Sequence, residues 1–158
     1  MGQVISIISG KGGTGKSFFA ANMGALLAMN GKSVVLIDMD MGMRSLDIYM
    51  GLENRIVYNI MDVLSGMCRI KQAMIKDKRF KSLYLMSAAP PRDHRDITGM
   101  HMKVLCDKLK DDYDYIIIDG PTGVDEGLDL AAGPSDVAVI ITEPEAASIR
   151  DADIVDRQ

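Results

Sequence analysis

Five short apolar runs, residues 4–8, 34–37, 83–86, 115–118 and 137–141, limit the architectures open to this chain more than any other feature. Each is nearly continuous instead of alternating, so each strand expects burial on both faces, the mark of a parallel sheet covered by helices. Stretches rich in helix formers separate the runs: residues 17–30, closed by Asn30 and Gly31, then residues 58–65, 70–75, 100–110 and 146–156. The alternation predicts an α/β fold, a doubly wound, mostly parallel sheet with helices on both faces, in a single domain over residues 1–158. The first helix carries apolar residues almost all round, which predicts that it is buried. Residues 89–98, with Pro90, Pro91 and several charges, read as an exposed loop.

Polar residues gather at one end of this pattern. Gly10 follows the first run, Asp38 and Asp40 close the second, Asp119 the fourth and Thr142 the fifth. Open parallel sheets bind their ligands outside the carboxyl ends of the strands, so four segments deliver polar groups to the expected edge.

The segment Gly10-Lys11-Gly12-Gly13-Thr14-Gly15-Lys16-Ser17 fits G-x-x-x-x-G-K-[ST] between a predicted strand and a predicted helix. Its glycines let the backbone approach phosphates, and successive N–H groups at a helix N-terminus form an anion cradle. Lys16 reaches the terminal phosphates as a point charge, and the Ser17 hydroxyl can ligate Mg2+. A second lysine, Lys11, reads either as a solvated loop charge or as a group that neutralises phosphate across a dimer interface, as an arginine finger does in trans.

Asp119 after Tyr115-Ile116-Ile117-Ile118 has the Walker B pattern, placing a carboxylate on the metal directly or through water. Asp38 and Asp40 straddle Met39. One can bond metal-bound water and the other orient the attacking water, or both can simply form a turn. Gly120-Pro121-Thr122-Gly123 reads as a tight turn after Asp119, or as a segment that senses the γ-phosphate.

Composition narrows the alternatives. A net charge of -4 over 158 residues lacks the basic footprint of nonspecific nucleic-acid binding, so no nucleic-acid partner is expected. No run approaches the roughly 20 apolar residues of a membrane span, and no secretory signal is visible. Cys68 and Cys106 lack paired spacing, which fits a reducing cytoplasm. The 13 methionines read as adaptable core filler. His94 and His101 read as surface residues. The basic run of Lys71, Lys76, Lys78, Arg79 and Lys81 reads as a solvated face or a local partner patch.

Residues Lys11 to Ser17 resemble the deviant Walker A box of the MinD/ParA family of ATPases. Asp38-Met39-Asp40-Met41-Gly42-Met43-Arg44-Ser45-Leu46-Asp47, Arg55-Ile56-Val57-Tyr58, Ile75-Lys76-Asp77-Lys78-Arg79, Thr142-Glu143-Pro144-Glu145 and Ser148-Ile149-Arg150-Asp151-Ala152-Asp153 look like further motifs of the family, in order, and incline towards its MinD branch. The resemblance implies a Mg2+-dependent ATPase that dimerises on ATP and acts in placing the division septum. Lys11 would act on the partner's phosphates, Lys16 and Ser17 on the chain's own nucleotide and Mg2+. Asp40 would orient the hydrolytic water, with Asp38 and Asp119 in the metal shell. Gly10 to Phe18 would bind nucleotide. Arg44, Glu145, Arg150, Asp151 and Asp153 would face the dimer or its partners.

Regulators like MinC and MinE would bind the dimer. The location would be cytoplasmic, with peripheral inner-membrane association through a C-terminal segment beyond Gln158, where the chain stops short of the family's usual length. Phe18 stands where the family has a small hydroxyl residue, and Gly120 and Thr122 depart from its Ser-Pro-Ala wording. The alternatives are a module that holds nucleotide without turnover, or a flagellar-number or plasmid-partition ATPase of the same family. An iron–sulfur relative is disfavoured because residues 120–132 hold no cysteine.

Overall fold

The computed structural model describes residues 1–41, 45–90, 93, 97–123 and 126–157. In chain order its elements are β1 (Gln3–Ser9), α1 (Lys16–Met29), β2 (Val34–Asp38), α2 (Ser45–Met50), α3 (Ile60–Leu64), α4 (Ile70–Ala73), β3 (Met74–Lys76), β4 (Leu83–Met86), α5 (Gly99–Lys110), β5 (Tyr115–Thr122), α6 (Glu126–Ala132), β6 (Val137–Ile140) and α7 (Ala146–Asp156). The strands form one six-stranded sheet in the order β3-β4-β2-β5-β1-β6. All neighbours are parallel except β3, which runs antiparallel to β4 at one edge.

Four of the five continuous apolar runs are explained by two cores, one on each side of the sheet. The fifth is not buried as expected, because β6 is an edge strand whose Val137 and Ala138 are exposed and whose Val139 and Ile140 are half-buried. Val35, Ile37, Ile116 and Ile118 point into a core closed by α3 and α5. Their neighbours Val34, Leu36 and Ile117 point into a second core closed by α1 and α2. Successive side chains of a strand face opposite ways, so burial on both sides demands an unbroken apolar run.

Three further expectations change in the structure. First, residues 70–75 are not one helix: α4 gives way at once to β3, whose pairing to β4 is local and antiparallel. Second, β5 does not stop at Asp119. It continues through Gly120 to Thr122, where Thr122 still pairs with Ser9 across a register shift in β1, and the positive φ falls on Gly123.

Third, α1 is buried on one face only. Its inward residues Ala20, Gly24 and Ala28 recur every fourth position, and a β-carbon on Gly24 would come within 2.9 Å of the Leu36 side chain. Its large residues turn outward, with Phe18, Leu26 and Met29 all more than half exposed. The seam against β2 selects for small size, and counting apolar residues overlooks size. α2 and α6 are additional to the helices expected. β6 forms the other edge of the sheet, and among the described residues it pairs with β1 alone. Among the described residues, no helix is long and apolar enough to cross a membrane.

Candidate functional site at the carboxyl edge of the sheet

The loop from Gly10 to Gly15 leaves β1 and enters α1 through two left-handed glycines, Gly13 at φ 78 and Gly15 at φ 91. Only glycine takes these angles without strain. The first bond of α1 runs from the Phe19 N–H to the Gly15 carbonyl at 2.9 Å. The N–H groups of Lys16, Ser17 and Phe18 therefore have no partner one turn back, and they sit at the positive end of the helix dipole. The Phe18 side chain turns away from the loop and meets the Tyr49 ring edge-on at 6.0 Å, so this position offers the cradle its backbone.

Ser9 braces the loop from beneath, a role the sequence reading missed. Its hydroxyl donates to the Lys11 carbonyl at 2.8 Å and accepts from the Lys11 N–H at 3.2 Å and from the Thr14 hydroxyl at 3.0 Å. Thr14 is thus committed to the loop's own shape. Gly10 carries a second constraint beside its motif role: a β-carbon there would fall 2.7 Å from Asp151 Cβ and 2.8 Å from the Asp151 carbonyl oxygen. Its bareness lets α7 lie against the loop.

The acidic residues meet on the α1 side of the sheet. Asp38 and Asp119 are register partners on adjacent strands, which puts their backbones about 4.8 Å apart. Both are fully buried. Asp38 commits both oxygens to backbone donors, the Asp40 N–H at 2.9 Å and the Leu46 N–H of α2 at 3.3 Å. Burial, and next the Asp119 charge, push its carboxyl up to about 8. Asp119 is different: neither carboxylate oxygen has a hydrogen-bond partner. Burial raises it to about 6, with the nearby Ser17 hydroxyl and Lys16 ammonium holding it down. Lys16 is itself buried, and desolvation lowers its pKa against the pull of Asp119 and Asp40.

An orphaned, buried carboxylate beside a serine hydroxyl, a cation and an amide cradle suits a divalent cation that arrives with phosphates. Mg2+ is commonly held by one or two carboxylates plus substrate oxygens. Among the described residues no group of three or more His, Cys, Asp or Glu side chains forms an all-protein metal cage.

The raised carboxyls have a consequence for the metal-free chain. Unfolded aspartates titrate near 3.9, whereas Asp119 and Asp38 titrate at about 6 and about 8 in the fold. Between those limits the folded state holds protons that the unfolded state has lost, so stability is expected to fall as pH rises from about 4 to about 8. Urea midpoints at pH 5 and pH 8 in the presence of chelator measure this. A midpoint that climbs over that interval contradicts it.

Lys11 does not point into its own cradle. Its ammonium lies 3.1 Å from Glu143 and 3.4 Å from Glu145, and Glu143 first and Glu145 second raise its pKa. Glu143 was quoted within a motif but given no role, since a partner 132 residues away leaves no local signal. Of the other residues expected at an interface, Glu145 and Asp151 reach the loop. Arg150 is exposed on α7, and Asp153 pairs with Arg157 one turn on. Arg44 and His94 lie outside the described residues.

A family model described as "AAA domain" matches residues 2–155. The chain is 47% identical over 154 residues to the septum site-determining protein MinD of Bacillus subtilis (strain 168), covering 97% of this chain and 58% of that protein. Its fold superposes on MinD from the MinC:MinD cell division complex of Aquifex aeolicus with a TM-score of 0.88 at 46% identity, covering 97% of this chain and 61% of that one. It superposes on MinD of Pyrococcus horikoshii, solved with Mg-ADP, with a TM-score of 0.85 at 30% identity, covering 96% and 62%. The chain therefore spans about three fifths of the length of the relatives it matches.

Proposed function

This chain belongs to the MinD/ParA family of P-loop ATPases, and from that premise we propose that it is the nucleotide-binding part of a dimerising, Mg2+-dependent ATP switch for placing the division septum. One observation carries the reading: Asp119, with both oxygens unbonded, faces the same edge as Lys16, Ser17 and the free N–H groups of α1. In this proposal Gly10 to Phe18 bind the triphosphate through backbone amides, and Lys16 neutralises its terminal oxygens. Mg2+, when bound, offsets phosphate charge and fixes phosphate geometry. Ser17 and Asp119 hold it, and Asp38 supports that shell from behind. Asp40 orients the attacking water. The domain extends over residues 1–158.

Lys11 belongs to the partner's nucleotide in this reading, and its hold on Glu143 and Glu145 keeps it clear of its own phosphates. Regulators resembling MinC, with which the Aquifex relative was solved, and MinE would engage the dimer near Glu145, Arg150, Asp151 and Asp153. Peripheral association with the inner membrane is part of the same proposal.

Phosphate release in ATP·Mg2+, with and without anionic vesicles, tests the activity against a Lys16→Ala control. Release that ignores Lys16 overturns the reading, and uptake without release favours a nucleotide-holding module. Glu143→Gln tests Lys11. The pair is half-exposed and adds little to folding, so thermal stability should stay unchanged. ATP-dependent dimerisation, followed by analytical ultracentrifugation, should tighten a few-fold as Lys11 keeps only its longer contact to Glu145. A weaker dimer would mean that Glu143 bonds across the interface instead.

A further inference from the structure

A cavity of about 670 Å³ opens on the face of the sheet opposite α1, between α3 and α4 on one side and α5 on the other. It shares no lining residue with the phosphate site. Val63, Leu64 and Ile70 form one wall and Met100, Val104 and Leu105 the other. Met100, Val104 and Lys108 stand four residues apart on α5, so they form one stripe. Met100 and Val104 are 67% and 46% exposed, although both are apolar. Beneath them Leu105, Val63, Leu64 and Ile70 join the core that α5 closes, so the floor is continuous with the interior.

The charge on this cavity has one sign. Arg69, Lys71 and Lys108 line it, and among the described lining residues there is no aspartate or glutamate. Lys71 begins the basic run that the phosphate chemistry leaves unexplained. The volume lies within the range of small-ligand sites, about 300–1,000 Å³. An apolar body with a single anionic end satisfies both features. The body covers the Met100–Val104 stripe, and the head meets the Arg69 guanidinium and the lysine ammonium groups in charge-assisted hydrogen bonds.

We propose that the cavity between α3–α4 and α5 is a binding site for a single-chain anionic amphiphile, a long-chain carboxylate in its simplest form. It is independent of the nucleotide site in position and in chemistry.

Calorimetric titration of the whole chain with dodecanoate, below its micelle concentration, tests this against dodecyltrimethylammonium, which has the same tail and the opposite charge. The carboxylate should bind at least about tenfold more tightly, the factor expected when a charge-assisted contact is exchanged for like-charge repulsion. Arg69→Gln with Lys71→Gln and Lys108→Gln should abolish the preference. Val104→Asp should weaken dodecanoate about tenfold or more, by placing a carboxylate on the apolar wall. Val104 is exposed enough that the thermal midpoint should hold. If it does not, methyl NMR of the unsubstituted protein gives a second reading, in which dodecanoate shifts Val63, Leu64, Ile70 and Val104. Equal affinity for the two tails, unchanged affinity in a folded Val104→Asp chain, or shifts that map elsewhere overturn the proposal.

Discussion

Lys16→Ala should lose ATP·Mg2+ binding by about 100-fold or more, without unfolding the chain. Hydrogen bonds from a charged donor contribute about 1.5–3 kcal/mol, and about 3 kcal/mol corresponds to roughly two decades of affinity. The fold depends less on this residue than the ligand does. The ammonium is buried, desolvation lowers its pKa, and the charges that favour it come from Asp119 and Asp40 in the same site. Removing it deletes a desolvated cation and leaves Asp119 easier to protonate. The readout is a thermal shift series. ATP·Mg2+ should raise the melting temperature of the parent chain by mass action and leave the variant unmoved. An equal shift in both would mean that the Lys16 ammonium makes no contact that holds the triphosphate.

Gly10→Ala should lower stability by about 1–3 kcal/mol, the usual cost of forcing extra volume into a packed contact. The obstacles are the Asp151 carbonyl and Cβ, at 2.8 and 2.7 Å from the added carbon. Backbone cannot swing aside as a side-chain tip can, so the loop or α7 must shift. Gly12→Ala is the matched control, because a β-carbon there meets nothing nearer than Thr122 Cγ2 at 3.7 Å. Urea denaturation of the two variants should separate them clearly. Similar midpoints would mean that α7 is free to ride outward, and that Gly10 is kept for phosphate approach alone.

The carboxyl edge was legible in sequence because its chemistry is local. The loop from Gly10 to Ser17 reads in eight consecutive residues, and Asp38 and Asp119 each terminate or punctuate an apolar run that both cores require. What escaped was set by distance or by size. The grip of Glu143 on Lys11 spans 132 residues, and nothing near either residue announces it. β3 follows α4 without a break, so Met74 and Ile75 read as more helix until β4 offers a hydrogen-bonding edge. α2 was not read from sequence, and part of its anchoring is remote: its donor at Leu46 is met by Asp38, eight residues back. The outward apolar face of α1 was invisible to a count of hydrophobic residues, since the face that packs is marked by smallness.

That narrow seam of Ala20, Gly24 and Ala28 fixes how low α1 rides over the sheet. The same axis ends at Lys16, so the seam works as a shim beneath the helix, and a thicker one at position 24 would tilt the amide-bearing tip relative to the strand ends. Anion affinity at the tip is thereby tuned from two turns away, by residues that never approach the ligand.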